Sequence, residues 1–162
     1  MVEMNTGRLA ALVLAVVMLG GCFVGGAPAR DDRADLTAGD LVGTWQDDAG
    51  DGLVFREAGE FSATNLPYEE FEDFQSALPQ NFDPVRDKLG AVGVWDTATS
   101  REDPDGPTNR VKLHVKELGG RQVSVGAEMY AEMRDGTITL AFYVGDPDLK
   151  DRRIYRKCDT AC

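Results

Sequence analysis

Residues 110–144 constrain the fold more than any other stretch of the chain. Val123, Val125, Ala127, Met129, Ala131 and Met133 alternate with Gln122, Ser124, Glu128, Tyr130 and Glu132. After Arg134-Asp135-Gly136, Ile138, Leu140, Phe142 and Val144 alternate with Thr137, Thr139, Ala141 and Tyr143. A period of two sends one parity to one face of a strand. Asp-Gly between two such runs marks a hairpin. Upstream, Val111, Leu113 and Val115 alternate with Lys112, His114 and Lys116, and Gly119-Gly120 joins that run to the next. The segment reads as a three-stranded antiparallel meander.

Shorter strands are expected near 41–47, 52–57, 60–65, 91–97 and 152–157, with Asp47-Asp48-Ala49-Gly50-Asp51-Gly52 and Glu57-Ala58-Gly59 as the first two turns. Eight strands in an open sheet would leave two unpaired edges, and closure removes both. The expected fold is therefore mainly β: an eight-stranded antiparallel up-and-down barrel. One segment departs from the pattern. Between Pro67 and Pro79, Phe71, Phe74 and Leu78 fall at helical spacing, and Glu69, Glu70, Glu72 and Asp73 suit the positive end of a helix dipole. This predicts a short amphipathic helix between the third and fourth strands, covering one barrel opening.

Asp40-Leu41-Val42-Gly43-Thr44-Trp45 resembles the Gly-x-Trp opening of lipocalin-like (calycin-like) barrels. The resemblance implies that Trp45 packs at a closed barrel end against an arginine of the last strand. Arg156 is the matching position, sharing with Ile154 the parity expected to point inward. An eight-stranded interior is either filled by side chains or hollowed for one small ligand, and both readings stay open. If it is hollow, Phe71, Phe74, Met129 and Phe142 are the expected lining of a site for a small apolar molecule. Methionine and phenylalanine at such positions equally suit a core.

The chain begins with one cation, Arg8, ahead of the 11-residue apolar run Leu9–Leu19. That run is shorter than the roughly 20 residues a membrane-spanning helix needs, and reads as a signal peptide. It ends in Leu19-Gly20-Gly21-Cys22, which resembles the lipobox of bacterial lipoproteins. In that family the cysteine sulfur carries diacylglycerol, the signal is cut before the cysteine, and the new amino terminus is acylated. The resemblance implies an extracytoplasmic protein held to the cell membrane by lipid on Cys22, since two or more acyl chains anchor firmly. The expected organisation is a signal peptide over 1–21, a flexible tether over 22–38 and the barrel over 39–162.

A net charge of −11 excludes nucleic acid as a partner, because phosphate recognition needs clustered Lys and Arg. It also opposes electrostatic adhesion to anionic lipid. With Cys22 assigned to lipid, Cys158 and Cys162 remain, and an even remainder in an exported chain predicts a disulfide clasping the C-terminus. The sole histidine, His114, has outward parity between Lys112 and Lys116. No Gly-x-Ser-x-Gly elbow, His-Glu-x-x-His or phosphate loop is present. Asp47–Gly52 and Asp103-Pro104-Asp105-Gly106 could offer oxygens to calcium, but Asp and Gly are also what tight turns use. No catalytic residue, metal or cofactor is expected. Two functional readings follow: a non-enzymatic, lipid-anchored barrel that binds a small apolar ligand, or an envelope protein-interaction module with a filled core.

Overall fold

The computed structural model describes residues 33–68, 71–100, 103–144 and 152–159. Its strands are β1 (Gly43–Asp47), β2 (Gly52–Phe55), β3 (Glu60–Ala63), β4 (Ala91–Thr99), β5 (Thr108–Leu118), β6 (Arg121–Arg134), β7 (Thr137–Tyr143) and β8 (Arg152–Lys157). They close into a barrel in sequence order, every neighbour antiparallel. The meander forms around two two-residue turns. Gly119-Gly120 and Asp135-Gly136 all take positive φ, the backbone that matches the strands' own twist.

Inward parity follows the apolar alternation. Trp45, Leu53, Phe55, Phe61, Leu113, Val115, Met129, Leu140 and Phe142 are buried in one cluster. Full burial of each such side chain stabilises by about 1.5–3 kcal/mol. Met133 shares that parity but is 40 % exposed, because it sits next to the β6–β7 turn at the barrel rim. At Gly93 the wall comes too close for any side chain. An added Cβ would lie 2.0 Å from the His114 carbonyl oxygen and 2.8 Å from the Phe61 ring, where the β4–β5 register shifts between Val92 and Gly93.

The expected tether boundary is too late. Residues 33–41 belong to the same compact unit as the barrel. Ala34 and Leu36 are buried. The Ala34 N–H donates to the Ala131 carbonyl at 3.2 Å, and the Leu36 N–H to the Thr108 carbonyl at 2.7 Å. This segment crosses the end of the barrel where β5 starts and β6 finishes. It continues into the single turn α1 (Ala38–Leu41), which replaces the start of the expected first strand. Thr37 donates its hydroxyl (2.6 Å) and its N–H (2.8 Å) to the Asp40 carboxylate, holding that group below its ordinary pKa.

The opposite end is covered by the 64–90 connection. There the helix α2 (Glu72–Gln75) spans one turn, between β3 and β4. It is shorter than the sequence predicts, for a physical reason. Phe71, Phe74 and Ala77 each donate an N–H three residues back, to Tyr68, Phe71 and Phe74. Such tight turns eclipse every third side chain, so Tyr68, Phe71, Phe74 and Ala77 can share one side. Among the described residues no helix is long and apolar enough to cross a membrane.

Candidate functional site

The pair expected to close the barrel is only half right. Trp45 is fully buried and its indole N–H donates to the Leu41 carbonyl at 2.8 Å. The cation over its ring is Lys157, with Nζ 5.7 Å from the ring centroid, and not Arg156. Lys157 also donates to the Asp40 carbonyl at 2.7 Å. Arg156 is exposed and pairs with Asp48 at 2.5 Å. The cause is register: Trp45 faces Lys157, and Asp47 faces Tyr155. Tyr155, rather than Ile154, therefore points inward, fully buried with its ring 5.9 Å from that of Phe142.

The four residues expected to line a ligand site fall in one core cluster, and the three phenylalanines are joined by ring contacts. The Phe71 ring lies 5.3 Å from Phe142 and 5.5 Å from Phe74. Phe74, Met129 and Phe142 are fully buried, with Phe71 packed against the same cluster. Next to them the Tyr155 hydroxyl is buried without a hydrogen-bond partner. Burial pushes its pKa well above the ordinary tyrosine value, and the nearby Asp47 charge adds to the rise.

A polar cluster that sequence reasoning missed sits beside this aromatic cap. Asp51, 2 % exposed, accepts from Asn65 Nδ2 at 3.1 Å and from Lys88 Nζ at 2.5 Å. Arg153 reaches both Asp51 (3.4 Å) and Asp47 (3.6 Å). Asp47 Oδ1 accepts from the N–H groups of Ala49 and Asp51, so this Asp-Gly stretch is turn chemistry with its carboxylates already facing cations. The only signal in the sequence was Arg152-Arg153-Ile154-Tyr155-Arg156-Lys157, which supports either parity.

On the outer wall, Glu132 is buried although its parity faces away from the core. It accepts from Arg152 (2.5 Å), Arg134 (3.1 Å) and the Tyr143 hydroxyl (3.1 Å). Arg110 pairs with Glu128 in the same wall. His114 is exposed, as are Lys112 and Lys116 beside it.

Between these clusters lies an open cleft of about 350 Å³. It is lined on the β1–β2 side by Asp47, Asp48 and Ala49, on the β8 side by Arg152, Arg153 and Ile154, and also by Val144. The cleft exists because the β1–β8 ladder stops at Asp47↔Tyr155, while β8 continues beside β7 to Tyr143↔Arg152. Cys158 follows β8; Cys22 and Cys162 both lie outside the described residues. No protein family, curated protein or solved structure matches the chain.

Proposed function

We propose that this is a lipid-anchored, extracytoplasmic β-barrel lipoprotein that acts through its outer surface as a non-enzymatic interaction module of the cell envelope. The anchor rests on Leu19-Gly20-Gly21-Cys22 and the apolar run before it. The observation that carries the surface reading is the packing of the interior. The segment 33–41 lies across one end, the Tyr68–Phe74 aromatics lie across the other, and the inward side chains between them are buried against each other. A lipocalin-like relationship belongs to the same reading, with Lys157 doing over Trp45 what an arginine does in that family. So does a Cys158–Cys162 clasp, because lipid on Cys22 leaves Cys162 as the remaining partner.

A second reading, a small apolar ligand inside the barrel, is favoured by one observation. The unpartnered Tyr155 hydroxyl under the aromatic cap would give such a ligand a polar handle. Native mass spectrometry of the protein extracted from its own membranes separates the two. A bare polypeptide-plus-lipid mass supports the surface module; an extra mass that is lost on denaturation supports the ligand. Cys22→Ala is expected to release the protein from the membrane or stall its export. Unchanged membrane retention, or a peptide map linking Cys158 to Cys22, would overturn the anchor.

A further inference from the structure

We propose that the cleft between the β1–β2 turn and β8 is a binding site for the free end of a short peptide: a di- or tripeptide with charged termini and an apolar side chain. This site is independent of the function proposed above, and either can fail without the other.

Three properties of the cleft point to that chemistry. Among its described lining residues two guanidiniums stand against two carboxylates, so a simple anion or a simple cation meets as much repulsion as attraction from them. A zwitterion can set each of its charges against the opposite one. Second, donors and an acceptor are available. Arg153 holds Asp47 and Asp51 only at 3.4–3.6 Å, longer than a good charge-assisted bond. Arg152 reaches Glu132 through Nη1, and each guanidinium carries five N–H donors. These suit a terminal carboxylate. Asp48 is 84 % exposed and, among the described residues, pairs with the half-exposed Arg156, a surface pair that exchanges at little cost. It suits a terminal ammonium.

The third property is backbone. On the β1 side the β8 ladder stops at Tyr155, so Arg152–Ile154 carry a strand edge that faces the cleft. An extended peptide can add to such an edge, its side chain resting on Ile154, Val144 and Ala49, as in other strand-addition sites. The volume of about 350 Å³ falls at the small end of the range for ligand sites, roughly 300–1,000 Å³, and suits two residues better than a long segment.

The test is calorimetric titration of detergent-solubilised full-length protein with Ala-Leu, N-acetyl-Ala-Leu and Ala-Leu-amide. Ala-Leu is expected to bind with a Kd on the order of 1 mM or tighter, the weak affinity that few heavy atoms allow. Each blocked peptide should bind at least about threefold more weakly, the loss expected for one exposed charge contact. Asp48→Asn, at an exposed position, should weaken Ala-Leu and Ala-Leu-amide while leaving N-acetyl-Ala-Leu, which has no ammonium, unchanged, and Ile154→Trp should abolish binding of all three by filling the cleft. Equal binding of all three peptides would overturn the proposal. So would no heat for Ala-Leu at tens of millimolar, or Ala-Leu binding that survives Ile154→Trp in a variant with unchanged circular dichroism.

Discussion

Gly93 shows how one missing side chain sets the barrel's width. Its carbon lies where the β4–β5 wall folds against Phe61, and a single methyl there meets a backbone oxygen that cannot move aside. Gly93→Ala is expected to cost about 2–3 kcal/mol, the upper part of the overpacking range, read as a lower urea midpoint with an unchanged slope. The two cations at the end of β8 have opposite weights although they are neighbours. Lys157→Met keeps the apolar stem but removes the contact with Trp45 and the bond to the Asp40 carbonyl. A loss of about 1–2 kcal/mol is expected. Arg156→Met removes only a solvent-exposed pair with Asp48, and stability should stay within about 0.5 kcal/mol. The reverse order would restore Arg156 as the residue over the tryptophan.

At the scale of elements, the 64–90 connection is a loop pinned at its base. Asn65 at its start and Lys88 near its end both bind Asp51, and the Tyr68 hydroxyl donates to the Leu89 carbonyl at 2.5 Å. Its middle supplies the aromatic cap. Asp51 therefore does for this loop what a strand pairing would do for a shorter one. Asp51→Ala strands the buried Asn65 amide and frees both loop ends, with an expected cost of about 2–4 kcal/mol. Limited proteolysis should then cut within 64–90 well before the rest of the chain. Unchanged protection of that loop would show that the aromatic packing alone retains it. The alternating strands of this region were legible because their period of two is a local property. The loop's anchor was not, because Asp51 and Lys88 are 37 residues apart and each looks like an ordinary turn or surface charge.

At the scale of the molecule, the chain is acidic and its described residues form a barrel with buried or half-buried phenols in both its core and its wall. All four tyrosines have raised pKa values, burial being the first cause in each case. Because the fold favours the neutral phenol, the stability this contributes is complete below the ordinary tyrosine value of about 10 and is lost as pH rises above it. Alkaline titration should therefore produce the phenolate absorbance of the fully buried Tyr68 and Tyr155 in one steep step that coincides with the loss of near-ultraviolet circular dichroism. A gradual titration near pH 10 in a protein that keeps its dichroism would contradict the burial of these rings.

The sequence by itself determined the number and order of the strands, the two tight turns of the meander and the inward parity of β5, β6 and β7. Each of these is encoded in residues two to four apart, where backbone geometry alone decides which side chains share a face. It did not determine the parity of β8. Ile154 and Tyr155 are both apolar enough to enter the core, and only pairing with β1 on one side and β7 on the other selects Tyr155. From that one-residue choice follow the cation over Trp45, the exposure of Arg156 and the mixed-charge cleft beside Ile154. Tertiary structure also drew residues 33–38 out of the expected tether, because an open barrel end offers buried surface to any nearby Ala34 and Leu36. Closure is a long-range event, and what it brings together no short window of sequence contains.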